Sequence, residues 1–238
     1  MAQQLVSTDM VRQLRAQPRR GVLIAVEGVP GSGKTTQLRL LESHLRRHHQ
    51  RLPGVVAVHD EVGTALGEQL HTLLRATKKL DARADALLRA GARAQLVATV
   101  VRPALTRGAV VLCEGWVDSY RAAHTHEDAD HEMVEHLVRY SSRRIRPDLT
   151  VLLDVPAPVS MLRGTTTSAI RRARVQALPA VERMRNLLLA QAVGRKDRYL
   201  AVPATDAPQE IAQVIAARVD ALLAQRAGVA AGVRRAAV

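Results

Sequence analysis

The run Gly28-Val-Pro-Gly31-Ser-Gly33-Lys34-Thr35 carries the most specific chemistry in the chain, because its spacing is that of a phosphate-binding loop, GxxxxGK[ST]. Glycines in such a loop let backbone N–H groups wrap a phosphate, and the amino terminus of the helix that follows adds positive potential. Lys34 is placed to reach the β and γ phosphates of a nucleoside triphosphate, and the Thr35 hydroxyl offers a hard oxygen to Mg²⁺. Gly28, Gly31, Ser32, Gly33, Lys34, Thr35 and Thr36 are therefore expected to bind ATP, with Lys34 also acting on the phosphoryl group in transit.

Other side chains qualify by type and place. Glu114 directly follows the apolar run Ala109-Val-Val-Leu-Cys113, so it either holds the magnesium ion through water or simply ends a strand. Asp154 ends a similar run and reads as a capping or structural acid. Arg89 and Arg93 lie four residues apart on one helix face, where they grip an anion together or stand solvated. Trp116 and Tyr120 come just after Glu114, and each either flanks a phosphate acceptor or packs into the core. His124-Thr-His126-Glu-Asp128-Ala-Asp130-His131 comes near the spacing of a two-metal site, with its last histidine displaced by two positions; its ordinary reading is a solvated acidic loop. Cys113 lies inside an apolar run and is expected to be core.

A sheet has to position these groups. Gly21-Val-Leu-Ile-Ala-Val26 is a short β-branched run stopped by the glycine loop, and it reads as a strand buried on both faces. Val55–Val58, Ala109–Cys113, Leu149–Leu153 and Tyr199–Val202 repeat that character. Helical periodicity falls between them, over Lys34 to about Arg47, Leu66–Leu74, Ala84–Leu105, Met133–Val138 and Gln209–Gln225, with Lys78–Asp81 a polar break. Alternating strands and helices imply an α/β fold with a five-stranded parallel sheet and helices on both faces, and ligands then collect at the carboxyl ends of the strands.

Composition narrows the class. Aromatic residues make up 2 % of the 238 residues, with no Phe, so Ala, Val and Leu must fill the core. The lone Cys113 excludes an internal disulfide and fits the cytoplasm. Neither the first twenty residues nor any later stretch reads as a signal or a membrane span. A net charge of +13 is spread over many helices instead of one block, which points away from nucleic acid and toward anionic small molecules. The expected organisation is an extension over 1–20, a single domain over 21–226 with a basic loop at about 163–179, and a tail over 227–238.

Several stretches, in order from residue 21 to about residue 220, resemble the thymidylate kinase family. They are Val26-Glu-Gly28 through Thr35-Thr-Gln37, Gly63-Thr-Ala-Leu-Gly-Glu68, Arg93-Ala-Gln95, Arg102-Pro-Ala-Leu-Thr-Arg-Gly108, Asp118-Ser119 and Arg146-Pro-Asp-Leu-Thr-Val-Leu-Leu-Asp-Val155. The resemblance implies the P-loop NTPase fold, transfer of the γ-phosphate of ATP with Mg²⁺, and a homodimer. It also implies catalytic work for Lys34, Arg93 and Glu114, a metal held by Thr35 and Glu114, and an acceptor near Asp60, Arg89, Arg93, Trp116 and Tyr120.

The departures from the family pattern gather around the acceptor. His59 stands where the family has an arginine, before a turn that reads Asp60-Glu-Val-Gly-Thr64. Glu114-Gly-Trp116 replaces an Asp-Arg-aromatic run, Arg89 replaces a stacking phenylalanine, and Pro30 replaces an acid in the phosphate loop. Arg163, Arg171, Arg172 and Arg174 surround Thr165-Thr-Thr-Ser168 at the place of the family's lid, without its arginine pattern. The acceptor expected from these residues is a nucleoside monophosphate or a related metabolite. A hydroxyl-bearing metabolite, or a nucleotide-binding protein that no longer turns over, are the alternatives.

Overall fold

The computed structural model of the chain describes residues 21–77, 79–125, 130–163 and 177–236. Five strands form one parallel sheet: β1 (Val22–Glu27), β2 (Val55–His59), β3 (Val110–Glu114), β4 (Leu149–Asp154) and β5 (Tyr199–Pro203), in the spatial order β2-β3-β1-β4-β5. The central β1 is buried along its whole length, as a strand covered on both faces must be.

Side-chain alternation along the strands divides the core into two layers. Val22, Ile24 and Val26 of β1 pack with Leu38, Leu41 and Leu45 of α1 (Lys34–His48) and with Ile211, Ile215 and Val219 of α9 (Pro208–Ala236). Leu23 and Ala25 face the other way. They meet Ala86, Ala90 and Leu96 of α3 (Ala82–Leu96), Leu105 of α4 (Arg102–Thr106) and Trp116. Each fully buried Leu or Ile in these layers contributes about 1.5–3 kcal/mol relative to an exposed one.

The remaining helices among the described residues are α2 (Ala65–Ala76), α5 (Val117–His124), α6 (His131–Ser141), α7 (Ala157–Leu162) and α8 (Leu178–Ala192). Local chemistry sets several starts: the Thr64 hydroxyl accepts from Gly67 N, Asp81 accepts from Arg83 N and Ala84 N, and Asp130 accepts from Met133 N.

Three boundaries differ from the sequence expectation. The unbroken helix expected over Ala84–Leu105 is interrupted by a π turn at Val97–Val101, where the Arg102 N–H reaches back to Val97 O. Pro103 explains the interruption, because it has no N–H and its ring opposes the carbonyl four residues earlier, so the ladder shifts by one residue just before it. The last helix, expected to end at Gln225, runs on to Ala236, through much of the stretch read as a tail. Third, the basic loop read to 179 gives way to α8 from Leu178, with Pro179 in its first turn.

Candidate active site

At the carboxyl end of β1 the chain turns directly into the glycine loop. Gly31 sits at φ +80°, and a Cβ there would lie 2.2 Å from the Ser160 carbonyl oxygen, so only glycine fits this loop against α7. Gly33, at φ 99°, ends the loop and starts α1. Thr35 and Thr36 are exposed in the first turn of α1 and Ser32 is buried, its hydroxyl without a hydrogen-bond partner among the described residues. The Lys34 ammonium donates to the carbonyls of Gly28 at 2.8 Å and Val29 at 3.0 Å, which holds it across the loop. Burial pushes its pKa below the usual lysine range, against the opposing pull of Glu27 and Glu114.

Beside the loop, the Thr35 hydroxyl donates to Glu114 Oε1 at 2.9 Å. Two hard oxygens on separate elements thus stand together at the mouth of the loop, which is the donor set Mg²⁺ prefers. His59 is Glu114's register partner across the β2–β3 pair. Its Nε2 lies 4.0 Å from Glu114 Oε1, and its Nδ1 lies 2.6 Å from Asp60 O.

The arginines and acids of the next shell form one ionic chain. Arg93 is fully buried; its Nε donates to Asp60 Oδ1 and Oδ2 at 3.0 and 2.9 Å, its Nη2 donates to Oδ2, and its guanidinium lies 4.5 Å over the Tyr120 ring. Its Nη1 is buried with no hydrogen-bond partner among the described residues. Arg89 donates through Nε to Asp85 at 3.0 and 2.9 Å and through Nη1 to Glu61 at 2.7 Å. Burial, with Asp60 adding to it, pushes the Glu61 carboxyl up despite Arg89. Tyr120 donates to Ala86 O at 2.8 Å.

The residues read from the sequence are therefore placed unequally. The loop, Thr35 and Glu114 converge; Asp60, Arg93 and Tyr120 converge beside them; Arg89 is tied to Asp85 and Glu61. Trp116 stands in the core at 1 % exposure, its indole N–H 3.4 Å from Ile145 O, with the shape of a packing residue. Asp154 is held by Arg185, whose Nε and Nη2 lie 2.6 and 3.1 Å from its two oxygens. Of the basic loop, Arg163 donates to Ala204 O at 2.7 Å, while Arg171, Arg172 and Arg174 lie outside the described residues. The histidine segment does not assemble as a metal site in its described part. The ring nitrogens of His124 face Tyr120 O and Asp85 Oδ2 at 2.8 and 3.0 Å, and Asp130 caps α6, whereas His126 and Asp128 lie outside the described residues.

Glu27 is a site residue that the sequence reading passed over. It closes β1 immediately before the loop, is 1 % exposed, and accepts from the Ser119 hydroxyl. Burial, with the Asp118 charge adding to it, raises its pKa from 4.5 to about 7. The available signal was a carboxylate following five apolar residues without a break.

A parallel sheet whose central strand runs straight into a lysine-bearing glycine loop, with a carboxylate on the neighbouring strand in reach of the loop's threonine, defines a P-loop phosphotransferase. Comparison with known proteins narrows the class. The family model described as thymidylate kinase matches residues 26–215. Thymidylate kinase of Thermomicrobium roseum is 36% identical over 200 residues, covering 82% of this chain and 93% of that protein. That of Trichlorobacter lovleyi is 34% identical over 215 residues, covering 87% and 99%. Among solved structures, the crystal structure of thymidylate kinase from Ehrlichia chaffeensis superposes with a TM-score of 0.65 at 23% identity, covering 82% of this chain and 98% of that one, and this likeness concerns the fold. The chain belongs to the thymidylate kinase family.

Proposed function

We propose that the protein transfers the γ-phosphate of ATP to a nucleoside monophosphate, with thymidylate the first acceptor to test. The observation that carries this reading is the adjacency of two sites at one end of the sheet. The donor loop meets Glu114 through Thr35, and Asp60, which pairs with Arg93, donates its own backbone N–H to Glu114 O at 3.0 Å. The proposed donor and acceptor sides thus meet at one residue, which favours holding two nucleotides close enough for in-line transfer.

Lys34 steadies charge on the phosphates, and Thr35 and Glu114 are the residues that would hold Mg²⁺. The ion supplies neutralisation of the phosphate charge when bound. Asp60, Arg89, Arg93 and Tyr120 stand on the acceptor side in this proposal, Arg89 partly exposed and the other three buried, with Trp116 supporting them from the core. The domain corresponds to residues 21–226, with the end of α9 continuing beyond it to Ala236, and the chain pairs with a second copy. Leu73, Leu87, Met133 and Tyr140 on α2, α3 and α6 are 51–84% exposed, which supports an apolar face for that pairing. No described helix is long and apolar enough to cross a membrane.

A second reading has an observation of its own. Arg89 is engaged by two carboxylates and Gly115 has no side chain, so an acceptor that presents a hydroxyl without a phosphate needs fewer free cations here. ADP release from the purified chain with Mg²⁺, measured against nucleoside monophosphates, nucleosides and hydroxylated metabolites with Lys34→Ala as control, separates the two. Turnover dependent on a monophosphate supports the first reading, turnover only with hydroxylated compounds supports the second, and ATP binding without turnover on any acceptor overturns both.

A further inference from the structure

Away from the phosphate loop, at the far end of α1, three metal-capable side chains meet. His44 lies within α1, His49 is its C-terminal cap and Asp220 belongs to α9. His44 Nε2 is 3.0 Å from each Asp220 oxygen, and His49 Nε2 is 2.7 Å from Asp220 Oδ1. One ligand atom from each of the three falls within 4.8 Å of the others. We propose that His44, His49 and Asp220 form a binding site for a transition-metal ion of the zinc class, which fastens the end of α1 to α9.

Several features of the backbone and side chains favour an ion over a chance meeting of histidines. Residues five apart on a continuous helix point in different directions. His49, however, leaves the helix at φ −121°, ψ 53° while its N–H still bonds Leu45 O at 2.9 Å, and this break brings its ring to the same carboxylate as His44. The His48 ring stacks on His44 at 4.5 Å and 28°, and its Nδ1 lies 3.0 Å from His44 O, so the His44 imidazole is held in place. Both histidines present Nε2, leaving Nδ1 of each to carry the ring proton when the metal is bound.

The donor chemistry selects the metal. Two imidazole nitrogens with one carboxylate suit Zn²⁺, Co²⁺ or Ni²⁺, whereas Mg²⁺ and Ca²⁺ prefer oxygen alone. Ligand bonds of about 2.0–2.1 Å on a tetrahedron put donor atoms about 3.3 Å apart, so the 3.0 and 2.7 Å spacings from the two histidine nitrogens to Asp220 Oδ1 need to open by about 0.3–0.6 Å. Side-chain exposures of 22%, 25% and 39% leave the site open to an entering ion and to water as a further ligand. The C-terminal end of α1 adds negative potential there. Because α1 begins at Lys34 and Thr35, the metal would steady the helix that carries the phosphate loop, without touching the reacting groups.

The test uses the full chain, free of any histidine tag, stripped with a chelator and titrated with Co²⁺. Visible d–d absorption saturating at one equivalent per chain, displaced by Zn²⁺, is expected, together with a rise of several degrees in Tm on adding Zn²⁺. Asp220→Asn and His49→Ala, confirmed as folded by circular dichroism, should each lose both signals while keeping ATP binding. Absence of a Co²⁺ spectrum in the parent chain, or a spectrum that both variants retain, overturns the proposal and leaves the cluster as a metal-free clamp between the two helices.

Discussion

Thr35 and Glu114 join the donor helix to the neighbouring strand. The 2.9 Å hydrogen bond from the Thr35 hydroxyl to Glu114 Oε1 spans 79 positions in the chain, and it exists because β1 and β3 are adjacent and parallel, so that the start of α1 and the end of β3 come out on the same side. The register aligns Val26 with Glu114, which places the carboxylate level with the entry to the loop. A strand-end carboxylate thereby stands at the entry to the glycine loop.

Glu114→Gln keeps an oxygen for Thr35 and removes the charge. Stability should stay within about 0.5 kcal/mol, as for a change that leaves packing intact. Activity should fall about 10–100-fold, the usual loss when a group that orients or tunes a metal site is neutralised. Raised Mg²⁺ should restore part of it. Steady-state rates across a magnesium titration check this, and a rate equal to that of the parent at every concentration would remove Glu114 from the metal site.

Asp60→Asn tests the buried pair. Arg93 is wholly buried and its charge is answered chiefly by Asp60, so neutralising that acid leaves a buried cation short of its partner. Such losses cost about 3–5 kcal/mol, and Glu61 Oε1 at 3.7 Å from Arg93 Nη2 should hold this one at the lower end. Urea unfolding of the two proteins gives the difference directly. A change under about 1 kcal/mol would mean that Glu61 alone satisfies Arg93.

Gly31→Ala addresses the loop. The added methyl meets Ser160 O and sits on a backbone at φ +80°, so the loop must move before the variant can fold. Strain of about 1–3 kcal/mol is expected. Because the same backbone N–H groups would hold phosphate, ATP affinity should weaken by about tenfold or more. Calorimetric titration with ATP measures it, and unchanged affinity would show that the loop does not need this conformation to bind.

The sheet was legible because each strand is a short apolar run bounded by glycine or polar residues, and the loop because its spacing tolerates few alternatives. The interruption before Pro103 was legible in principle, since proline forces it, yet helical periodicity on both sides hid it. The Arg93–Asp60 pair was not legible. Its members lie 33 positions apart, and only the packing of α3 against the end of β2 brings them together. The same holds for Glu27, whose partner Ser119 lies 92 positions on, and for Trp116, whose type suits core and cleft equally. Sequence spacing reported chemistry that is local in the chain; the partners of buried charges are set by the tertiary fold.

Glu27 predicts the pH dependence of stability. Its carboxyl holds a proton up to about pH 7 in the folded chain, against an ordinary value of 4.5, because burial and the nearby Asp118 charge disfavour the anion. Between those values the folded state binds more protons than the unfolded one, so stability falls as pH rises. The stabilisation is fully present below 4.5 and is lost as pH passes through about 7, to an extent on the order of 3 kcal/mol. Glu27→Gln mimics the neutral form and should remove this slope. The variant should match the parent at the acid end and exceed it above pH 7, a difference that urea unfolding across pH reads while the other titrating groups cancel. Parallel curves for variant and parent would show that Glu27 ionises normally, with Lys34 close enough to accept its charge.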